Sequence, residues 1–160
     1  MMRRIALVAA LALVVVGGAA AIETFPITGA SIAKAKLGWT RAHYQAALGR
    51  PGRVDQLEGG LTRLVYRTRK LEVYLHAGRG VAVATWNKRY TDGAGIGPCA
   101  PLAEARATFG SHWVKLTGGP SLALWQYRTL TYRVGKGKVL AVVLATKKYR
   151  LQIAGNTSDC

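Results

Sequence analysis

The sequence predicts an α+β fold of two tandem modules, each with short helices packed on an antiparallel sheet of three to four strands. Three observations predict it. One order of motifs occurs twice along the 160 residues. Each copy begins with a short stretch that has helix caps, and alternating apolar segments separated by glycine-containing turns follow it. With 50% of its residues hydrophobic, the chain can bury one medium core or two small ones.

The N-terminal stretch has the organisation of a secretory signal peptide. Arg3 and Arg4 precede an apolar run over residues 5–16, and glycines and alanines follow it up to Ala21. This order, with an A-x-A pattern at its end, predicts export and cleavage after Ala21. The alternative is an uncleaved anchor, because residues 5–22 carry no charge and reach the lower length limit for spanning a bilayer. The small residues favour cleavage, which leaves no stable membrane span and a protein secreted or held in the extracytoplasmic cell envelope.

The rest of the chain is interpreted as two similar halves. Residues 37–40 (LGWT) resemble residues 96–99 (IGPC), and the tripeptide YRT occurs at residues 66–68 and again at 127–129. A glycine-rich stretch, TDGAG, separates the halves. The predicted domains are a signal peptide over 1–21, a first module over 22–90, a linker over 91–95 and a second module over 96–160.

Each half contains one predicted helix. Thr40 is placed to cap a helix over residues 41–48, whose tyrosine and leucine side chains give it an apolar face. In the second half, Pro101 starts a helix over residues 102–109 and Gly110 ends it. Helices of two to three turns are marginally stable alone, so we expect both to be held by packing on a sheet.

Alternating segments predict the strands and assign their two faces. Strands are expected at residues 61–68, 70–76, 81–86, 122–128, 130–134 and 139–146. One face carries apolar residues that should lie under the helices: Leu64, Tyr66, Leu71, Val73, Leu75, Val81, Val83, Trp125, Tyr127, Leu130, Tyr132, Val134, Leu140 and Val142. The opposite face carries the candidates for binding another protein: Arg63, Arg67, Tyr74, His76, Trp86, Gln126, Arg128 and Arg133. The alternative is that this face is only solvated or lies between the modules, and a register error of one residue would exchange the faces.

These motifs resemble those of the BamE-like (SmpA/OmlA) envelope modules and, in tandem, the fold of the β-lactamase-inhibitory protein. The resemblance covers residues 32–146. It implies a helical pair packed on an antiparallel sheet in each copy, with the exposed sheet surface or its loops holding another protein. The chain departs from the family in having two copies and no cysteine for lipidation. It departs from the inhibitor in its two cysteines and its strongly basic balance.

Charge limits the classes of partner. The chain has 23 basic and 7 acidic residues, and removal of Arg3 and Arg4 would change its net charge from +16 to roughly +14. Such a protein should bind anionic surfaces, and since export removes most contact with nucleic acid, no nucleic-acid partner is expected. An unknown protein or an anionic envelope polymer is the expected partner. A basic surface that serves only solubility is the alternative.

The cysteines, histidines and carboxylates bear on whether the chain has a disulfide, a metal site or a catalytic site. Cys99 and Cys160 predict one disulfide in an exported chain, with two free thiols as the alternative. The histidines are scattered and the carboxylates form no convincing pair, so we expect no metal, no cofactor and no catalytic residue. The predicted function is non-catalytic binding of another macromolecule through the exposed sheet face, in an inhibitor-like role. The alternative is a basic structural or assembly protein that associates with anionic components of the cell envelope.

Overall fold

The computed structural model describes residues 27–119, 121–153 and 158–160. The predicted signal peptide lies outside these residues. Within them the chain forms β1 (Ser31–Ile32), β2 (Ala35–Lys36), α1 (Arg41–Leu48), β3 (Arg53–Leu57), β4 (Leu61–Tyr66), β5 (Leu71–His76), β6 (Arg79–Thr85), α2 (Leu102–Phe109), β7 (Val114–Gly118), β8 (Leu122–Tyr127), β9 (Leu130–Gly135) and β10 (Lys138–Ala145). No helix in this part of the chain is long and apolar enough to cross a membrane.

The strands from β3 to β10 form one antiparallel sheet of eight strands, in the order β3-β4-β5-β6-β10-β9-β8-β7. The two halves of the chain meet where β6 pairs with β10, with Ala82 opposite Ala145 and Thr85 opposite Val142. The predicted fold of two tandem α+β modules is therefore wrong. The described residues have one continuous eight-stranded sheet, a small separate sheet of β1 and β2, and two short α-helices. The repeated motifs therefore do not mark two modules that each have their own large sheet.

The composition of β10 explains why the sheet is continuous. Its sequence, KVLAVVLA, has apolar residues on both faces, and every residue from Val139 to Ala145 is buried. A strand of this kind belongs in the middle of a sheet, because both of its faces need cover. An open edge on β6 or β10 would also expose unpaired N–H and C=O groups. Pairing the two strands with each other satisfies these groups.

The helices lie on one face of the sheet, here called the helix face, and both have the bounds that the sequence predicts. The Thr40 hydroxyl accepts a hydrogen bond from the His43 amide at 3.4 Å, and Gly49 with φ 87° ends α1. Side chains of both helices belong to one buried cluster with those of the strands. Its members include Ile27, Ile32, Tyr44, Leu48, Leu64, Tyr66, Leu71, Val73, Leu75, Tyr90, Ile96, Phe109, Trp113, Leu130, Tyr132, Val142 and Leu144.

Two β-bulges change the predicted assignment of faces at two positions. Tyr74 lies opposite Ala82, but its neighbour Leu75 lies opposite Gly80, so Val81 is an extra residue. Val81 consequently packs on the face opposite the helices, and its prediction as part of the helix-side core is wrong. Leu140 is the extra residue of the equivalent bulge in β10 and lies outside the helix-side cluster.

The opposite face, here called the second face, is covered at its centre by residues 146–153. Tyr149 and Ile153 pack there on strand residues Leu61, Tyr74, Ala82, Ala84, Val143 and Ala145. The predicted disulfide between Cys99 and Cys160 is present and holds residues 158–160 beside the start of β10. The face that the sequence predicts as exposed is therefore open only beside the segment.

Candidate functional site

Three of the predicted binding residues meet in a pocket on the second face. Arg63, Arg67 and Trp86 line it, together with residues of β3 and β5 and with Asp159. The lining consists of Arg53, Arg63, Val65, Arg67, Lys70, Glu72, Trp86 and Asp159, and the cavity volume is about 370 Å³. We call it the basic pocket, because half of its lining residues carry a positive charge.

The pocket floor follows from strand alternation on β3, β4 and β5. Register places Arg53 opposite Val65, and Val65 opposite Glu72 on the next strand. In the neighbouring row, Asp55 lies opposite Arg63. Directly opposite residues of an antiparallel pair point to the same face, so these rows bring charged side chains from three strands together on the second face.

The Arg63 guanidinium is held rigidly at the side of the pocket. Its Nε and Nη2 donate to Asp55 Oδ2 at 2.9 and 2.7 Å, and Arg53 Nε donates to Asp55 Oδ1 at 2.5 Å. The hydrogen bonds from Arg53 and Arg63 lower the pKa of Asp55 below its usual value. Asp55 therefore stays ionised at neutral pH and orients both guanidinium groups.

Glu72 is a buried carboxylate at the base of the pocket, only 2% exposed. The Tyr74 hydroxyl donates to its Oε2 at 2.6 Å, and Arg63 Nη1 lies 3.7 Å from its Oε1. Burial, together with the bond to Glu72, raises the pKa of the Tyr74 phenol, which keeps the phenol protonated as a donor. A buried carboxyl group needs such partners, and these contacts hold Glu72, Arg63 and Tyr74 in place relative to one another.

The mouth of the pocket carries the cations that are open to solvent. Arg67 is exposed, and its side chain has no hydrogen bond or ion pair within the described residues. The Arg53 side chain is 53% exposed. Lys70, which takes a left-handed conformation with φ 52° at the end of the turn before β5, forms an ion pair with Asp159. An anionic group entering the pocket would therefore meet Arg67 and Arg53 first.

The other candidates on the first half of the chain are less accessible than the sequence predicts. Tyr74 is buried, and its hydroxyl is engaged by Glu72. The His76 ring lies 5.6 Å from the ring of Tyr149 in the C-terminal segment. Trp86, although it lines the pocket, is only 6% exposed. Of the five candidates in this half, Arg67 is the fully exposed one.

The candidates on the second half do not line the basic pocket. The Gln126 amide accepts a hydrogen bond from Arg150 at 2.8 Å and donates one to the Arg128 carbonyl at 2.5 Å. The Arg128 guanidinium lies 5.2 Å from the centre of the Tyr127 ring. Arg133 is half-buried on β9. Gln126 thus helps to hold the C-terminal segment, and no patch unites these three residues with Arg67.

Five lining residues were not among the predicted candidates: Arg53, Val65, Lys70, Glu72 and Asp159. Glu72 could have been found, because it alternates with Tyr74 and His76 on a strand that was predicted correctly. Arg53 could not, since the edge strand β3 has no apolar alternation. Asp159 lies next to the Cys99–Cys160 disulfide and pairs with Lys70, a long-range contact that local sequence patterns do not encode.

A second cleft, of about 420 Å³, lies between the N-terminal part of the described chain and the β8–β9 turn, and Asp92 and Arg128 are among its lining residues. Asp92 accepts hydrogen bonds from the amides of Ala94 and Ile96 and from the Tyr132 hydroxyl. Its carboxylate is therefore used to fix the turn over residues 91–95. Among the described residues, no three His, Cys, Asp or Glu side chains are grouped so that they could hold a metal ion.

Comparison with solved structures finds a shared fold. The described architecture is similar to an extracellular protein from Bacillus anthracis str. Ames that contains a SCP domain, with a TM-score of 0.54 at 12% identity over 72% of this chain. A cysteine-rich secretory protein from Staphylococcus aureus subsp. aureus Mu50 gives a TM-score of 0.49 at 15% identity over 70% of the chain. The chain spans 45% of the length of each of these proteins. No protein-family model matches the sequence, and no curated protein matches it.

These comparisons correct the predicted family. The resemblance to BamE-like modules rested on short motifs, and it is wrong: the structural similarity is to a protein described by its SCP domain. At 12% identity the similarity concerns the fold alone. The short L-G and YRT motifs were misleading because glycine after a helix and aromatic residues in a strand occur for general physical reasons in many α+β proteins.

Proposed function

We propose that this chain is an exported, non-catalytic binding protein that holds an acidic segment of another protein in the basic pocket. The observation that carries the proposal is the exposed Arg67 side chain, unpaired within the described residues, beside a rigidly held Arg63 and a buried Trp86. Arginine and tryptophan contribute most often to the centres of protein interfaces. The pocket thus offers the exposed Arg67 to a ligand, next to side chains that internal contacts hold in place.

Export is supported by three independent features. The N-terminal residues have the order of a signal peptide, and the Cys99–Cys160 disulfide is the kind of bond that persists in oxidising compartments. The structurally similar Bacillus anthracis protein is described as extracellular. An extracytoplasmic partner follows from this location.

Binding is favoured over catalysis by the state of the carboxylates. A hydrolytic site would need a carboxylate or histidine positioned to exchange a proton with a substrate. Asp55 is engaged by two arginines, and Glu72 is buried under Tyr74 and Arg63. Both groups therefore serve to orient cations.

The alternative function is association with anionic polymers of the cell envelope through general charge. Exposed basic side chains favour it, because they occur well beyond the pocket: Lys36, Arg41, Arg50, Lys88, Arg89, Arg106, Lys115, Lys136, Lys138, Lys147 and Lys148. Binding of this kind should decline steadily as salt screens the charges. It should also depend on the number of charges and little on which one is removed.

Affinity capture from the envelope and culture fluid of the source organism distinguishes the two functions. The bait would be the mature chain, its Arg67→Ala variant and, as a matched control, Arg41→Ala, which removes another exposed arginine, from α1 on the helix face. A protein retained in about 0.5 M salt, where screening is strong, by the mature chain and by Arg41→Ala but not by Arg67→Ala supports the proposal. Retention only of polymer, lost equally from all three baits as salt rises, supports the alternative and rejects the pocket.

A further inference from the structure

An acidic side chain of the protein itself already lies at the basic pocket. Asp159 forms an ion pair with Lys70, and both side chains are partly exposed, at 42% and 39%. Both also line the cavity. Among the described residues that follow β10, Asp159 is the one that lines the pocket. Its carboxylate has the chemistry expected of an acidic partner.

The position of Asp159 is fixed covalently. The next residue, Cys160, is bonded to Cys99, whose backbone amide donates to the Val139 carbonyl at 2.7 Å at the start of β10. A group tethered this closely has an effective concentration in the millimolar range or above. An exposed ion pair has little intrinsic strength, but such a tether keeps it populated.

We propose that Asp159 is an intramolecular stand-in for the ligand, and that the group recognised by the basic pocket is the side-chain carboxylate of an Asp or Glu in an extended acidic segment. This inference rests on the proposed function. One carboxylate of the partner's acidic segment takes the place of Asp159 on Lys70, and neighbouring carboxylates of the same segment reach Arg67. The disulfide therefore sets the affinity of the pocket by holding a weak competitor at its mouth.

Titration with a fluorescein-labelled hexaglutamate peptide, followed by anisotropy, tests the competition on the oxidised mature chain. Asp159→Asn removes the competing charge and keeps the side-chain shape. Its control is Glu104→Gln, which removes one negative charge from an exposed position on α2. Since an exposed ion pair is weak, we expect Asp159→Asn to bind the peptide roughly two- to five-fold more tightly than Glu104→Gln.

A second substitution separates failure of the inference from failure of the proposed function. Arg67→Ala should weaken peptide binding in the wild-type background and, more strongly, in the Asp159→Asn background. Asp159→Asn and Glu104→Gln could bind the peptide with equal affinity while Arg67→Ala clearly weakens binding. This result would reject the inference that Asp159 competes with the ligand, but it would still support the pocket as the binding site. If Arg67→Ala changes nothing in either background, the peptide does not bind in the pocket, and both proposals fall.

Removal of the disulfide gives an independent measurement. The variant Cys99→Ser with Cys160→Ser releases the tether, so its affinity for hexaglutamate should rise by as much as that of Asp159→Asn, with circular dichroism confirming that the sheet is retained. Adding Asp159→Asn to this variant should then give no further gain. If Asp159→Asn raises peptide affinity in the disulfide-free variant as much as it does in the wild type, Asp159 acts on the peptide through its charge alone. That result would contradict the role of the tether.

Discussion

The Tyr132 hydroxyl donates a 2.5 Å hydrogen bond to Oδ2 of Asp92, which joins the turn over residues 91–95 to the centre of β9. Both side chains are buried, and the other carboxylate oxygen of Asp92 accepts from the amides of Ala94 and Ile96. Desolvation by burial, with the bond to Asp92, raises the pKa of the Tyr132 phenol, so the phenol remains a donor at neutral pH. One side chain of the sheet therefore fixes the connection between the two halves of the chain.

Loss of this hydroxyl should destabilise the protein. Tyr132→Phe leaves a buried carboxylate oxygen without its donor, which costs about 1–3 kcal/mol of unfolding free energy. The matched control is Tyr66→Phe, because the buried Tyr66 hydroxyl has no hydrogen-bond partner among the described residues. Removing it should be neutral or slightly stabilising. Urea unfolding of both variants measures the difference, and equal losses would contradict the importance of the Asp92 bond.

Close packing of Gly80 against α1 gives a second prediction. A Cβ atom on Gly80 would overlap the Tyr44 hydroxyl, and this hydroxyl donates to the Lys36 carbonyl. Gly80→Ala should therefore cost about 1–3 kcal/mol by forcing the helix away from the sheet. Gly93→Ala is the control, since nothing lies within 4 Å of its added methyl group. Thermal unfolding should separate the variants by several degrees, and similar midpoints would show that α1 can shift without cost.

Local patterns predicted the helices, and they did so because the decisive residues are close in sequence. The Thr40 cap bonds to His43 three residues on, and Gly49 provides the positive φ that ends α1. The alternation of Leu71 with Val73 likewise assigned the helix face of β5 correctly. Helix caps and strand alternation depend on residues close in sequence, so they can be predicted without knowing how the distant parts of the chain pair.

The sequence did not predict the long-range contacts of the fold, and the physical reasons differ from one contact to the next. Pairing of Ala82 with Ala145 joins the halves into one sheet, and small apolar residues give no local signal for a distant partner. The bulge at Val81 moves one residue to the other face, which a strict period of two does not anticipate. Tyr149 covers the second face from a segment without periodic pattern. The sequence therefore placed Arg63 of β4 on the correct face of the sheet, but it wrongly predicted that this face is open along its whole extent.

The disulfide should contribute much of the stability. It closes a loop with a sequence separation of 61 residues, for which the chain-entropy model gives about 4 kcal/mol. Urea unfolding of the oxidised protein and of the Cys99→Ser, Cys160→Ser variant measures this difference directly. The variant should also become sensitive to proteolysis within residues 146–153, since the segment on the second face loses its distal attachment. A change below about 1 kcal/mol would indicate that the unfolded chain is already constrained or that the bond strains the fold.

The ionisation of Asp55 should contribute to the loss of unfolding free energy at low pH, here called the acid limb of the stability profile. Hydrogen bonds from Arg53, and then from Arg63, lower its pKa in the folded protein below the unfolded value of about 3.9. The unfolded state thus binds the proton first, so this contribution is complete above about pH 4 and is lost as the pH falls through the lower, folded pKa. Asp55→Asn should flatten this limb below about pH 4 relative to wild type. Urea midpoints measured across that range, with Glu104→Gln as an exposed carboxylate control on α2, provide the test. Parallel profiles for wild type and Asp55→Asn would show that folding does not lower the pKa of Asp55.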